Sequence, residues 1–245
     1  MTNAARFRRM HVKTLILPNA WDPASARVIE EAGAAAIATT SAGVSWAHGR
    51  ADGQTLTRDE MLGALARIVA AVEVPVSADI EQGYDDVAAT VRAVVDLGIA
   101  GVNLEDGSGE PAEHAERLRT ARAAGGDLVI NARTDVYLAG IGEPEGRFDE
   151  TVARARLYLA AGADVVFVPG VVDEETIALL AKSIDGPLNV MAWPGAPSPT
   201  RLAELGVARI SVGPVIAMAA YGAARRAAEA LLERGDYGDP ERFVF

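Results

Sequence analysis

The stretch Asp96–Asp106 reads Asp-Leu-Gly-Ile-Ala-Gly-Val-Asn-Leu-Glu-Asp and decides the fold, because it leads from a helix end into a short strand. Gly98 stands where a helix would end in a left-handed cap. The run Gly101–Leu104 lacks regular alternation of apolar and polar residues, which is typical of a parallel strand covered on both faces. The stretch therefore predicts one helix-to-strand joint of an α/β protein.

The same joint recurs three more times, with Gly33, Gly162 and Gly206 in the place of Gly98. Eight strand-like runs lie along the chain: Thr14–Leu17, Ala35–Thr40, Val74–Ile80, Gly101–Leu104, Leu128–Ala132, Asp164–Val168, Leu188–Ala192 and Arg209–Val212. Helical patterns follow them: Pro23–Ala32, Arg58–Val72, Asp86–Leu97, Ala112–Ala124, Asp149–Ala161, Asp173–Lys182, Pro199–Leu205 and Val215–Arg234. Eight such units with right-handed crossovers predict a closed (β/α)8 barrel, the TIM barrel, with a doubly wound open sheet as the alternative. No linker interrupts residues 1–245, so we expect a single domain.

Polar residues mark several expected helix starts. Asp22 followed by Pro23 is typical of an N-cap with proline at the first helical position. Asp149 and Asp173 are expected to cap their helices in a similar way. Residues 41–57 are interpreted as a long loop, and a loop of that length inside a compact domain is usually functional.

The composition excludes several classes of protein. The net charge of −11 argues against binding to nucleic acid or to an anionic membrane surface. The chain has no cysteine, which excludes disulfides, thiolate metal sites and cysteine nucleophiles. Its first residues lack the apolar core of a signal peptide, and Arg225 and Arg226 interrupt the apolar stretch Pro214–Leu232. We therefore expect a cytoplasmic protein that acts on a small molecule.

Carboxylates stand at two neighbouring strand ends, where a (β/α)8 barrel carries its chemistry. Asp79 and Glu81 have the same parity, so both are expected to point inward, and buried charge is costly unless something compensates it. A divalent cation with oxygen ligands is the simplest compensation. Glu105 and Asp106 have opposite parity, so one of them is expected either to cap the next helix or to pair with an arginine.

The remaining chemistry follows by elimination. Neither lysine, Lys13 or Lys182, is placed for a Schiff base, and no histidine ends a strand. What remains is carboxylates, Arg133 and the backbone N–H groups around residues 42–43, a set that suits an anionic substrate bound to Mg²⁺. Arg133 is expected to form a fork for a substrate carboxylate, with a structural ion pair as the alternative. Trp21 is a packing residue that is also expected to wall the pocket.

Six motifs run in the order seen in one enzyme family and cover the first 135 residues densely. They are Pro18–Asp22, Thr40–Val44, Gly49–Gly53, Ala78–Tyr84, Gly101–Asp106 and Ile130–Asp135. Together they resemble the isocitrate lyase/phosphoenolpyruvate mutase superfamily. The resemblance implies an enzyme that depends on Mg²⁺, with Mn²⁺ as a substitute, and acts on α-oxo acids or their phosphorylated enols.

The resemblance also implies roles for individual residues. Asp79 would be the direct metal ligand, while Asp52, Glu81 and Glu105 would hold metal-bound waters. Arg133 would bind the substrate carboxylate or the leaving part, and Asp52, Glu105 and Arg133 are the expected catalytic residues. The substrate-binding residues implied are Trp21, Ser41, Ala42, Gly43, Asp79 and Arg133. The family usually forms tetramers that exchange the last helix, here residues 215–233, so we expect a homo-oligomer, either a dimer or a tetramer.

The segment after the fourth predicted strand differs from that of the family's lyases and limits which reactions we expect. Lyases of the superfamily carry a Lys-x-Cys-Gly-His segment after the fourth strand, and this chain has Gly107–Pro111 there instead. The missing segment argues against isocitrate or methylisocitrate lyase activity. We expect instead a Mg²⁺-dependent lyase or decarboxylase that cleaves a carbon–carbon bond of a small α-oxo carboxylate through an enolate. The alternatives are P–C chemistry of the phosphoenolpyruvate mutase or phosphonopyruvate hydrolase type, and a barrel that binds an α-oxo acid without turnover.

Overall fold

The computed structural model describes residues 2–238 and has the predicted α/β barrel architecture. The strands are β1 (Leu15–Leu17), β2 (Asn19–Ala20), β3 (Ile37–Thr39), β4 (Val76–Asp79), β5 (Gly101–Glu105), β6 (Val129–Arg133), β7 (Val165–Val168), β8 (Leu188–Met191) and β9 (Arg209–Ser211). The helices are α1 (Asn3–Met10), α2 (Pro23–Glu31), α3 (Ser41–Ala47), α4 (Arg58–Val69), α5 (Val87–Asp96), α6 (Pro111–Gly125), α7 (Arg147–Ala160), α8 (Glu174–Ser183), α9 (Pro199–Glu204) and α10 (Val215–Arg234). All strand pairs are parallel.

A proline divides the first strand and explains why nine strands replace the expected eight. Pro18 lies between β1 and β2 and has no N–H to donate to a ladder. β1 pairs with β9, and β2 pairs with β3, so the two halves of one strand join the two ends of the sheet. The Pro18 carbonyl still accepts the Ala38 N–H at 2.9 Å. The predicted (β/α)8 barrel is therefore confirmed as a nearly closed barrel.

The repeated glycine joints have the predicted geometry. Gly33, Gly98, Gly162 and Gly206 all have positive φ, between 77° and 105°. In this region an L side chain is strained, and the glycine lets each helix end and the chain turn into the next strand. Asp22 caps α2 through a bond from the Ser25 N–H. These joints set where the strands start and hence where their carboxyl ends meet.

Two local predictions were wrong, and one helix was not predicted. Residues 41–57 are not all loop, because Ser41–Ala47 form α3, with Val44 buried in the core. Asp149 does not cap α7, since that helix begins two residues earlier at Arg147. The helix α1 was not predicted, because its sequence is short and strongly polar.

The helix α1 covers the N-terminal end of the barrel. Phe7 is fully buried and packs with residues at strand starts, among them Leu15, Val129 and Val165. Gly101 makes room for this ring, because a Cβ there would lie 2.9 Å from an edge carbon of Phe7. Substrate access is therefore expected at the opposite end, where parallel barrels carry their sites.

The last helix, α10, is mostly exposed in the single chain, where Met218, Tyr221, Leu231 and Leu232 are open to solvent. Its exchange between subunits stays a prediction. No helix within residues 2–238 is long and apolar enough to cross a membrane. Residues 1 and 239–245, which the single-domain prediction also covers, lie outside the described part of the chain.

Candidate active site

A cavity of about 240 Å³ opens at the C-terminal ends of the strands. This volume is below the roughly 300–1,000 Å³ of pockets for drug-sized ligands, so it suits a small molecule. Five of the predicted site residues line it: Ser41, Ala42, Asp52, Asp79 and Arg133. The other four, Trp21, Gly43, Glu81 and Glu105, are not among the residues that line it.

Asp79 ends β4 and is 7% exposed at the cavity. Its Oδ2 accepts two bonds from Ser41, one from the backbone N–H at 3.1 Å and one from the hydroxyl at 2.8 Å. Its Oδ1 has only longer contacts of 3.4 Å, from the Asn103 amide and the Glu81 N–H. One oxygen of this carboxylate is thus fixed by α3, while the other remains available for a ligand.

Glu81 is the least satisfied charged group of the site. It follows β4 with a φ of 52°, an uncommon conformation for a residue other than glycine, and is 2% exposed. Among residues 2–238, neither of its carboxylate oxygens has a partner at hydrogen-bond geometry, although the Gln54 N–H favours the ionised form. Burial, reinforced by the negative charge of Asp79, raises the pKa of Glu81 to about 7. A cation beside Glu81 would relieve both effects.

Arg133 is held by two carboxylates. Its Nη1 is 2.8 Å from Glu105 Oε2, and its Nε donates to Asp135 Oδ1 at 2.6 Å. A further bond from Nη2 reaches Asp135 Oδ2 at 3.2 Å. Burial raises the pKa of Asp135, and the Arg133 guanidinium opposes that shift. Arg133, which was expected to form a fork for a substrate carboxylate, is therefore already engaged in ion pairs. It also lines the cavity.

The donor set fits a hard cation, with one restriction. No three acidic or histidine side chains within the described residues are arranged so that they could hold an ion on their own. Magnesium usually keeps several waters and takes only one or two protein carboxylates, so Asp79 as a direct ligand with Glu81 and Glu105 behind waters is compatible with this geometry. The unpartnered Glu81 carboxylate is the observation that favours such an ion.

The segment Thr40–Val44 brings backbone donors to the cavity. Thr40 is the N-cap of α3 but makes no side-chain bond to the helix, and the first N–H group, that of Ser41, donates to Asp79 instead. Gly43 is required by close packing, because a Cβ there would lie 2.7 Å from Trp21 Cβ. The Trp21 ring lies 6.2 Å from the Tyr221 ring of α10 between centroids, tilted by 44°, and Trp21 does not line the cavity. The prediction that Trp21 packs holds, and its substrate contact stays a prediction.

Asp106 belongs to a separate buried cluster. Its Oδ1 accepts the Asp135 N–H at 2.9 Å, and its Oδ2 accepts Arg154 Nη1 at 2.8 Å and the Tyr158 hydroxyl at 2.6 Å. Of the two alternatives for the Glu105–Asp106 pair, Asp106 pairs with an arginine. Arg154 and Tyr158 were missed, although their spacing of four on the predicted helix places them on one face.

Sequence reasoning also missed Arg209, which lines the bottom of the cavity. It is 2% exposed and starts β9. The alternation of Arg209 and Ser211 within a predicted strand was a signal that both point into the barrel. In register with Asp79 across the sheet, the Asn131 amide donates to Asn103 Oδ1 at 2.7 Å, so the barrel interior at this level is polar.

Comparisons with known proteins agree with the family suggested by the motifs. A family model described as phosphoenolpyruvate phosphomutase matches residues 7–232. An uncharacterized protein of Mycobacterium tuberculosis is 40% identical over 221 residues, which cover 88% of this chain and 84% of the relative. The oxaloacetate decarboxylase of Paraburkholderia xenovorans is 31% identical over 196 residues, covering 72% of this chain and 63% of the relative.

A crystal structure gives the same result at the level of the fold. The structure of 2,3-dimethylmalate lyase, described as a PEP mutase/isocitrate lyase superfamily member, matches with a TM-score of 0.87 at 29% sequence identity. The match covers 100% of this chain and 92% of the lyase.

Proposed function

The chain belongs to the phosphoenolpyruvate mutase/isocitrate lyase superfamily, and from this premise we propose that it is a Mg²⁺-dependent lyase that cleaves a carbon–carbon bond of a small α-oxo carboxylate. Its relatives include a 2,3-dimethylmalate lyase, an oxaloacetate decarboxylase and a 2-methylisocitrate lyase, and a phosphoenolpyruvate phosphomutase has a similar structure. The observation that supports the proposal most is the buried Glu81 carboxylate beside Asp79, whose two oxygens have no partner at hydrogen-bond geometry among residues 2–238 and only the nearby Gln54 N–H to favour the charge.

One group of residues at the cavity would hold the metal ion. Asp79 would hold the ion through Oδ1, because Ser41 already occupies Oδ2 and fixes the orientation of the carboxylate. Glu81, Glu105 and Asp52 would hold its waters. A bound Mg²⁺ would supply a Lewis acid for the carboxylate and oxo oxygens of the substrate.

The remaining groups would act on the substrate itself. Cleavage of the bond β to the oxo group, by decarboxylation or retro-aldol loss, leaves an enolate. The N–H groups of Ala42 and Gly43 would stabilise the enolate oxygen by hydrogen bonds. Arg133, whose charge is kept by Glu105 and Asp135, would orient the carboxylate or the leaving part. Water would protonate the enolate, since the chain has no cysteine acid.

The second candidate is P–C chemistry on phosphoenolpyruvate or phosphonopyruvate, which the description of the matching family model favours. Between β5 and α6 the chain has only the short segment 106–110, and this leaves little sequence for a gating loop. Phosphate release and ³¹P spectra on these two substrates separate the candidates. We also expect a cytoplasmic homo-oligomer in which α10 is exchanged between subunits.

The test is a panel of 2-oxo and 2-hydroxy acids incubated with the protein and Mg²⁺ and analysed by mass spectrometry. We expect a carbon–carbon cleavage product that disappears in EDTA and falls at least roughly 10³-fold in Asp79→Asn, a typical loss when a central electrostatic group is removed. Asp59→Asn, at an exposed position, is the matched control. Equal turnover of Asp79→Asn in EDTA, or α-oxo acid binding with no product overnight, would exclude the proposed lyase.

A further inference from the structure

Arg209 is a buried cation at the bottom of the proposed active site. It starts β9, yet its Nη2 donates to the Ser77 hydroxyl on β4 at 3.3 Å. β9 and β4 are not neighbours in the sheet, so the side chain crosses the barrel interior. Both Arg209 and Ser77 line the cavity whose mouth holds Asp79. The guanidinium is therefore part of the surface that a deeply bound ligand meets.

Within the described chain, the charge of Arg209 has no counter-ion at bonding distance. Its Nε and Nη1 have no hydrogen-bond partner in residues 2–238, and Ser77 is a neutral one. The guanidinium carbon is 5.8 Å from the centroid of the Phe7 ring, which adds only a weak attraction. Burial lowers the pKa of Arg209 to about 9, and the charge of Asp79 opposes that shift only in part. A buried cation in this state is strongly destabilising unless an anion joins it.

The other arginine of the cavity shows what a balanced cation has in this protein. Arg133 contacts carboxylates of two residues, Glu105 and Asp135, at 2.6–3.2 Å. An additional anion would compete with those partners at Arg133, whereas at Arg209 it would find unused donors. Next to Arg209 in the sheet register, Asn189 also has an amide nitrogen without a partner among the described residues. Arg209 and its neighbour Asn189 therefore have nitrogen donors that no acceptor among the described residues uses.

We propose that Arg209 binds a second carboxylate of the substrate, so that the protein selects 2-oxo dicarboxylates over 2-oxo monocarboxylates. The inference rests on the proposed function, because it places the α-oxo acid end of the substrate at Asp79 and the distal carboxylate at the barrel floor. A carboxylate held by a guanidinium is stabilised as the anion, which favours cleavage that retains it over its loss as CO2. Arg209 is thus a specificity residue for one end of the substrate.

The test measures binding separately from turnover. Calorimetry with Mg²⁺ compares 2-oxoglutarate with 2-oxopentanoate, which has a methyl group in place of the distal carboxylate. We expect the wild-type protein to bind the dicarboxylate roughly 10- to 100-fold more tightly, as for a hydrogen-bonded charged group. Arg209→Met should remove that ratio and leave the affinity for 2-oxopentanoate within about threefold. Arg201→Met, at an exposed arginine of α9, should keep the ratio.

Several outcomes overturn the proposal. It fails if the wild-type protein binds both acids equally, if Arg209→Met keeps the ratio, or if the variant loses both acids alike while remaining folded by circular dichroism. Should Arg209→Met not fold, Arg209→Lys keeps the charge but removes the planar fork and should lower the ratio. An unchanged ratio in Arg209→Lys would then overturn the proposal. Discrimination without any turnover would leave Arg209 in its role and refute only the lyase.

Discussion

Glu105 and Asp106 are adjacent in sequence but lie in two regions with opposite charge balance. The mouth of the barrel brings Glu105 together with Asp79, Glu81 and Asp135 around the single guanidinium of Arg133. Behind the strand, Asp106 has a backbone N–H, a guanidinium and a phenol hydroxyl on its two oxygens. In the first region some buried carboxylate oxygens, those of Glu81, have no hydrogen-bond partner among the described residues, whereas in the second both oxygens of Asp106 have one.

The difference teaches which buried charges indicate a ligand. A buried carboxylate whose two oxygens both accept hydrogen bonds and pair with a cation, as in the Asp106 cluster, contributes to the fold and needs no ligand to complete it. A buried group with unused donors or acceptors, such as Glu81 or Arg209, indicates that something else completes it. Removing a charge should therefore have opposite effects on stability in the two regions.

The largest stability effect is expected at the complete cluster. Asp106→Ala leaves Arg154 buried without its main counter-ion and should lower the free energy of unfolding by about 3–5 kcal/mol. Urea unfolding followed by circular dichroism measures the change, with Glu110→Ala, an exposed carboxylate four residues away, as the control. A loss below about 1 kcal/mol would erase the distinction between the regions.

The incomplete region should respond with the opposite sign. Because the pKa of Glu81 is raised in the folded state to about 7, this carboxyl group destabilises the metal-free protein increasingly as pH rises from about 4.5 to about 7. In EDTA, Glu81→Gln should stabilise the protein at pH 8 by on the order of 2 kcal/mol and have little effect at pH 4.5.

Thermal unfolding at the two pH values checks the sign of the Glu81 effect. Mg²⁺ at pH 8 should raise the melting temperature of the wild type more than that of Glu81→Gln, because the ion compensates the charge that the variant lacks. A Glu81→Gln protein that melts lower than the wild type at pH 8 in EDTA would contradict the proposed imbalance.

The smallest loss of stability is expected for Tyr158→Phe, which tests how much the phenol hydroxyl contributes to the Asp106 cluster. Tyr158→Phe removes one of the hydrogen bonds to Asp106 and leaves Arg154 and the Asp135 N–H in place. We expect a loss of about 1.5 kcal/mol in the same urea experiment, the value for a bond to a charged group. Turnover should not change, since Tyr158 is fully buried and outside the cavity. A loss as large as that of Asp106→Ala would mean that the phenol, rather than the arginine, holds the cluster together.

The barrel and much of its mouth could be predicted because both depend on local sequence. Glycine joints and apolar runs set the strands, and the strand ends identify Asp79 and Arg133. The helix α3 was hidden because Gly43 weakens its helical pattern, and its start depends on contacts between Ser41 and Asp79.

What could not be predicted depends on contacts between distant parts of the chain. Asp106 and Arg154 are 48 positions apart, and Arg209 and Ser77 are 132 apart. Sequence indicates that each of these side chains is polar and in a buried element, but the partner is fixed only when the barrel closes. For the same reason, the ion pair of Arg133 with Glu105 on the neighbouring strand was one of two open alternatives.

The ring of Phe7 packs against Gly101 and closes the N-terminal end of the barrel. The helix α1 should therefore limit the access of water to the barrel interior, although it lies at the end opposite to the proposed active site. A fragment lacking this helix would admit bulk water beneath the guanidinium of Arg209, weakening by dielectric screening the attraction on which selection between one and two carboxylates depends.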